Sequence, residues 1–318
     1  MRKAFRHGKN SVFNQIIVRS DDYDTFELNN QCWLSIPSLV KRKRIKIPLN
    51  TTMEFKPNGT LRLIIKHNIV EAHSSYEKVS NRSCGNEIIG VDKGYSEVFV
   101  TSDNEFLGKD LGKIITQHSD KLKAKYQQRN KLFALMKKYQ KNNQSKKADN
   151  ILKNNLGRVK KTRKNHKVKQ TLKTLIYRAC HKVVDRAKVV VCEDLRSNFS
   201  KKTGYGKNAN RRLNTWVKGL IALALKQVTE CRGSALHLVN PAYTSQCDSF
   251  CDSLLLGSRK GNCFYRKNGE VIQADYNAAR NILARYFDKE IKRDTPFNAV
   301  KEILLKRTDS YRLATVSS

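Results

Sequence analysis

The stretch Ile88-Ile89-Gly90-Val91-Asp92-Lys93-Gly94 is an apolar run that ends on a carboxylate between glycines. Two later stretches have the same character. Val189-Val190-Val191-Cys192-Glu193-Asp194-Leu195 places acid at the end of a β-rich run. Ala274-Asp275-Tyr276-Asn277-Ala278-Ala279-Arg280-Asn281-Ile282 places it at the start of a helical one. The chain carries 63 Lys and Arg against 28 Asp and Glu, a formal charge of +35. Carboxylates so placed in so basic a chain need a reason, and convergence on a divalent cation supplies one.

Outward from Asp92 the chain reads as alternating strands and helices. Ile88 to Val91 is a buried strand, and residues 97–101 and 105–108 are a second and third, turning at Asp103-Asn104. Three sequential strands with tight turns form a meander. Val189 to Cys192 is a fourth strand, able to lie beside the first. Leu213 to Cys231 is helical, with Trp216, Leu220, Leu223, Ala224 and Val228 on one face and Gly233 ending it. Ala235 to Val239 is a fifth strand, residues 244–273 are polar and loop-like, and the last helix starts at Asp275. The tail from Asp288 has one amphipathic stretch, Phe297 to Leu305, and then frays. This order, strands then helices then alternation, is that of an α/β domain of RNase H-like type; another mixed α/β domain is the alternative.

Before Asp92 the composition differs. The first eleven residues are basic and aperiodic, and short β-like runs follow at 14–18, 32–36, 44–49 and 60–65, with a turn at Lys56-Pro57-Asn58-Gly59. They predict an antiparallel, partly barrel-like module over about residues 12–75, with Lys41, Arg42, Lys43, Arg44 and Arg62 on a basic face. The expected divisions are a partial β-barrel module (1–80), a first α/β part (81–120), a basic helical hairpin (121–188), a second part (189–243), a loop (244–273), a third part (274–287) and a tail (288–318).

Residues 121–188 hold 23 Lys and Arg against two Asp and Glu, with no Pro and one Gly. Apolar residues recur at helical spacing, predicting a long hairpin that turns around Asn142 to Lys146. Like charges at helical spacing repel one another, so a phosphate backbone is the expected counterpart. Lys121, Lys123, Lys125, Arg129, Lys160, Lys161, Arg163 and Lys164 are the candidate nucleic-acid contacts. A solvated face is the plain reading of any one of them. No long apolar run and no signal-peptide pattern occurs, so no membrane partner is expected. Eight cysteines without such a signal read as reduced thiols, and the chain is expected in the cytoplasm, at the nucleoid.

The chemistry that fits is phosphodiester hydrolysis at Asp92, Glu193 and Asp275. Two Mg²⁺ ions about 3.5–4 Å apart activate water and stabilise developing charge, and Mg²⁺ is satisfied by carboxylate oxygen, with Mn²⁺ an alternative. Each residue also has a plainer reading. Asp92 alone begins a Gly-flanked turn, Asp275 alone caps a helix, and Glu193 or Asp194 alone pairs with a lysine. Strand alternation turns Glu193 and Asp194 to opposite faces, so only one reaches the metal. Ala278, Ala279, Ile282 and Leu283 form a small apolar face for close approach to the sheet, and Asn277 and Arg280 contact substrate, brace the carboxylates or face solvent. Cys247, Cys251 and Cys263 give three thiols where a structural zinc takes four ligands, so free thiols are expected over Zn²⁺.

Together the Gly-Val-Asp-Lys-Gly stretch, the Val-Cys-Glu-Asp-Leu stretch, Asn240-Pro241-Ala242-Tyr243-Thr244-Ser245-Gln246 and the stretch from Ala274 to Ile282 resemble the TnpB/OrfB family over about residues 12–285. These are transposon-encoded nucleases with a split RuvC-like domain, related to type V CRISPR effectors. The resemblance implies that Asp92, Glu193 and Asp275 are the three RuvC acidic residues, that the β module is the wedge-like barrel, and that the partners are a guide RNA and a DNA target. Pairing with the guide would read sequence while a basic channel grips the heteroduplex by its backbone. Two departures bear on guided cleavage and on zinc. Only the later portion of the family's barrel is expected here, without its N-terminal portion and inserted helical region, and residues 264–269 stand where its zinc ribbon has a second Cys pair. A truncated homologue that binds without cutting is the main rival. A DDE-type transposase is disfavoured by the Asp, Glu, Asp order, and a basic RNA-binding scaffold leaves the carboxylates unexplained.

Overall fold

The structure, a computed structural model, describes residues 15–50, 58–66, 69–75, 80–157, 159–195, 208, 211–212 and 217–316. The basic first eleven residues, Lys56-Pro57 and most of the segment from Ser200 to Leu213 lie outside them. The chain divides into two compact units, Met1–Val79 and Ser80–Ser318.

The first unit holds β1 (Gln15–Val18), β2 (Asp24–Leu28), β3 (Gln31–Pro37), β4 (Arg44–Pro48), β5 (Asn58–Lys66) and β6 (Ile69–Ser75). They form two three-stranded antiparallel sheets, β1-β5-β6 and β2-β3-β4. Asn29 and Asn30 take φ of 52° and 58° between β2 and β3, the two left-handed residues that a tight hairpin turn demands. Val18, Leu34, Ile36, Leu61 and Leu63 make one shared core. Two features differ from the sequence reading. β2 and β6 are additional strands, and among the described residues no strand pairs across the two sheets. Arg44 is also not a free surface cation, because its guanidinium bonds Ser35 and pairs with Asp24 at 2.8 Å.

The second unit is mixed α/β. β7 (Glu87–Asp92), β8 (Phe99–Thr101), β9 (Phe106–Leu107), β10 (Ala187–Glu193) and β11 (Ala235–Val239) form one sheet in the order β11-β10-β7-β8-β9. β10 runs parallel to β7 and β11, while β7, β8 and β9 make an antiparallel meander. Strand alternation assigns the two faces. Ile89, Val91, Val190 and Cys192 join the main core with α1 (Leu111–Lys141), α3 (Val159–Arg186) and α4 (Lys218–Arg232). Val191 and Val239 face the other way, onto Ile282 of α5 (Ala274–Phe287).

The hairpin differs in detail from its expectation. α1 starts ten residues earlier than the sequence suggested, with Leu111 and Ile115 buried in the main core. Its far end is capped by α2 (Ser145–Asn150) and a π-helical turn (Ile151–Asn155), where Ala148 and, just past the turn, Leu156 pack on Met136. Residues 244–273 are not a bare loop. They contain the antiparallel sheet β12 (Gly257–Lys260), β13 (Cys263–Arg266) and β14 (Val271–Gln273). α5 is not the last helix either, because the tail forms α6 (Phe297–Val316) and does not fray after Leu305. Val300 and Leu304 of α6 are buried against Ala242, Cys247, Leu254 and Ile291, which is how a four-residue apolar spacing anchors a helix.

Candidate active site and nucleic-acid interface

The same alternation that separates the sheet faces delivers the acids. Val191 is paired with Gly90 and Cys192 with Val91, so Asp92 and Glu193 lie next in register at the carboxyl ends of two parallel strands. Asp92 shares the parity of Gly90, and Glu193 that of Val191. Both therefore project on the α5 side. α5 can lie close because β7 offers no side chain at Gly90, and Asp275 sits in its first turn. The N-cap is Gln273 and not Asp275: the Gln273 amide oxygen accepts from the Tyr276 N–H at 2.6 Å. Asp275 is thus left to other partners.

Three carboxylates in one recess perturb one another. Asp92 and Glu193 are half-buried at the sheet end, which strips water from their carboxylates. That desolvation, and then the charges of Glu193 and Asp275, hold the Asp92 carboxyl well above its ordinary value, with Arg259 and Lys93 offsetting part of the effect. Burial raises Glu193 too, opposed by a hydrogen bond from Thr244 and by Lys93. Glu97 is a further acid in range: burial, then Asp275, raises its carboxyl.

Of the neighbours around the acids, the sequence reading singled out Asn277 and Arg280 but not Lys93, Thr244 or Arg259. The Lys93 ammonium donates to the Glu193 backbone carbonyl at 2.7 Å. The Thr244 hydroxyl donates to the Glu193 carboxylate. Thr244 is itself fixed from α5, where Asn281 donates to the carbonyls of Thr244 and Cys247, both at 2.8 Å. Asn277, one turn earlier, donates to Cys247 O at 2.7 Å and accepts from Ser249 N at 2.9 Å. Asn277 is therefore a brace for the 244–249 segment, and Arg280 lies over the Phe250 ring at 4.1 Å. Asp275 accepts from Arg259 of β12 at 2.8 Å and from Gln273 at 3.2 Å. Asp194 turns away from the recess and pairs with Arg293 at 2.7 Å. Of these, Arg259 carries the most chemistry, and only the β12–β13 hairpin fold brings it to Asp275.

The donor set is hard oxygen, which suits Mg²⁺ or Mn²⁺. It is not closed as folded: among the described residues no three His, Cys, Asp or Glu side chains gather within ligating range. Lys93 and Arg259 supply positive charge there instead. The thiols are a different matter. Cys247, Cys251 and Cys263 form no disulfide, and Cys247 lies in the apolar cluster with Leu254, Val300 and Leu304. The donors present do not fit the four-ligand zinc site that the family resemblance implies.

On the hairpin, Lys121, Lys123, Lys125, Lys160, Arg163 and Lys164 are exposed. Lys123 reaches the Asn208 amide oxygen at 3.1 Å. Lys161 is half-buried, its ammonium 4.3 Å from the Tyr126 ring centroid. Arg129 is a structural brace: its guanidinium donates to the carbonyls of Leu156 and Gly157 at 2.8 and 3.1 Å, tying the π-helical turn to α1.

Residues 221–282 match the family model described as Cas12f1-like, TNB domain. The span runs from α4 through β11 and the β12–β14 sheet to Ile282 of α5, so the Cas12f1-like match includes Thr244, Arg259 and Asp275. Among solved structures the chain is similar to one in a cryo-EM structure of a Cas12f1–sgRNA–target DNA complex, with 16% identity and a TM-score of 0.49. That match covers 85% of this chain and 62% of the other, so this chain spans less than two thirds of that relative's length. No curated protein matches the chain. Among the described residues no helix is long and apolar enough to cross a membrane.

Proposed function

We propose that this chain is a RuvC-like, metal-dependent endonuclease that hydrolyses DNA under the guidance of an RNA, in a transposon-associated setting like that of the TnpB/OrfB proteins its motifs resemble. The observation that carries the reading is that Asp92, Glu193 and Asp275, from two parallel strand ends and one helix start, lie near enough for the charges of the last two to raise the Asp92 carboxyl. The Cas12f1-like match over residues 221–282 and the basic hairpin support it.

Asp92, Glu193 and Asp275 are the residues that would hold the divalent ions. When bound, Mg²⁺ or Mn²⁺ would supply activation of a water and stabilisation of developing negative charge. The chain's own contributions are orientation and charge. Thr244 fixes the Glu193 carboxylate, Asn277 and Asn281 fix Thr244, and the Lys93 ammonium and Arg259 guanidinium temper the repulsion among the acids. The exposed cations of α1 and α3 face the phosphate backbone of a guide–target heteroduplex, while base pairing with the guide reads sequence.

A second reading, a binder that does not cut, is favoured by the Arg259–Asp275 ion pair and by the open spacing of the acids. One experiment separates the two. Protein purified with its copurifying RNA is given matching DNA in Mg²⁺ and in EDTA, beside an Asp92→Ala sample. Cleavage that needs Mg²⁺ and vanishes in the variant supports the nuclease; tight RNA binding with no cleavage in either sample supports the binder.

A further inference from the structure

The apolar stripe of α1 outruns its cover. Leu111, Ile115 and Leu122 recur at helical spacing, and the first two are buried in the main core. The same stripe continues through Tyr126 and Phe133, which are 44% and 46% exposed. Seven residues separate these two rings, so they stand on one face about 10 Å apart. The nearby cluster of Met136, Ala148 and Leu156 does not include them. Each ring instead has an ammonium against it, Lys161 over Tyr126 at 4.3 Å and Lys137 over Phe133 at 5.0 Å.

Single exposed rings are ordinary on a soluble helix, but these two share one face of a segment with 23 Lys and Arg against two acids. Such charge repels a second copy of the same surface and any cationic partner, and it attracts a polyanion. Within a duplex both faces of each base are already stacked, so exposed rings have nothing to bind there. Unpaired bases offer free faces, and a ring with a neighbouring cation engages base and phosphate together.

We propose that Tyr126 and Phe133 form a stacking platform for unpaired nucleotides, with Lys161 and Lys137 meeting the flanking phosphates. The platform rests on the nucleic-acid reading of the hairpin but not on cleavage. It makes this face of α1 a grip on single-stranded segments, distinct from a general duplex clamp.

The test measures binding of the full chain to labelled single-stranded RNA, single-stranded DNA and a blunt duplex of the same sequence, across a salt series. The proteins are wild type, a Tyr126→Ala/Phe133→Ala double variant and a Lys123→Ala/Lys125→Ala charge control. Alanine favours helix at exposed positions, and circular dichroism checks that the variants fold. Loss of both rings is expected to weaken single-strand binding by roughly 25-fold or more, about 5-fold or more for each ring, with duplex affinity and the slope against salt unchanged. The charge control should weaken every arm and flatten that slope. A loss confined to the RNA arm or to the DNA arm identifies which strand the platform holds. A Phe133→Trp variant adds a direct signal, quenching of indole fluorescence by the stacked base. Equal single-strand affinity in the double variant, or an equal loss on duplex, overturns the platform. No binding by wild type in any arm overturns the nucleic-acid reading with it, whereas absent cleavage alone leaves the platform standing.

Discussion

Gly90 and Ala279 meet with no room for a side chain: a Cβ built on Gly90 would stand 2.5 Å from the Ala279 carbonyl oxygen and 2.8 Å from the Leu283 Cβ. This contact sets how closely α5 lies on β7, and α5 carries Asp275 toward Asp92. Gly90→Ala is expected to lift the helix, costing about 1–3 kcal/mol by overpacking. Cleavage should fall roughly 100-fold, because small displacements of catalytic groups cost far more rate than stability. Urea unfolding and single-turnover cleavage measure the two effects. A variant with wild-type cleavage would show that α5 does not deliver a catalytic acid.

Thr244 is 2% exposed and directs its hydroxyl to the Glu193 carboxylate. Thr244→Val keeps the shape and removes the bond, at about 1 kcal/mol of stability. The lost bond is one that lowers the Glu193 pKa. The sign therefore follows: Glu193 ionises at higher pH in the variant, and the acid limb of the pH–rate profile moves to higher pH. A pH–rate comparison checks the direction, and an unmoved limb would remove Thr244 from the site.

Arg259 holds Asp275 at 2.8 Å and is one of two cations that lower the Asp92 pKa. Arg259→Ala leaves the acids less neutralised, so a divalent ion meets a more negative recess. At a pH where the acids are ionised, Mn²⁺ affinity is expected to rise by roughly tenfold, equivalent to about 1.4 kcal/mol. Titration followed by electron paramagnetic resonance reads this without any cleavage. Unchanged affinity would mean that Arg259 does not share the recess with the ion.

The parts legible in the sequence were those whose physics is local. Val189 to Val191 is a continuous apolar run because β10 is buried on both faces, and Gly90 advertises a close approach. The segments missed have their pattern hidden by other chemistry. β2 carries Asp24 and Glu27 within its alternation, and β12 is Gly-Ser-Arg-Lys, with nothing apolar to reveal a strand. The early turns of α1 were obscured by Gly112, which lies in the helix because a Cβ there would stand 3.0 Å from the Ser96 Cα. α6 continues past Leu305 because Thr308, a buried polar residue, bonds both N–H and C=O of Leu254. At the site the carboxylates were visible as acids in a basic chain. Arg259 and Thr244 were not, since their roles depend on long-range folding that places them beside Asp275 and Glu193.

Arg307 of α6 gathers Asp252, Asp288 and Glu290. Burial alone would push the Asp288 carboxyl up, but hydrogen bonds from Arg307 and from the Ile291 and Glu290 N–H groups outweigh it and hold the carboxyl below its ordinary value. The folded pKa is thus below the unfolded one, about 4. The contribution is complete above that value and is lost as pH falls through the folded pKa. Asp288→Asn should cost about 2 kcal/mol at neutral pH, less than a lone buried pair because Arg307 keeps its other acids. Its stability should also fall less steeply below pH ~4. Urea midpoints across acid pH test both.

Cys247 tests whether the 244–273 segment is closed over an apolar core. Its thiol is 1% exposed, and burial pushes it up to about 12. Cys180, within the main core, is likewise pushed up to about 12. Cys231 on α4 is exposed. The thiolate is the nucleophile in alkylation, so at mildly alkaline pH Cys247 and Cys180 should react with iodoacetamide at least roughly a thousandfold more slowly than an exposed thiol of pKa about 8.5. Peptide mapping by mass spectrometry is expected to find Cys231 labelled first, and Cys180 and Cys247 only after urea is added. Holding the native protein in a zinc chelator should leave this order unchanged, because Leu254, Val300 and Leu304 cover Cys247 without metal. Rapid native labelling of Cys247 once the chelator is present would mean that zinc keeps the segment closed, and the apolar account of its packing would then be wrong.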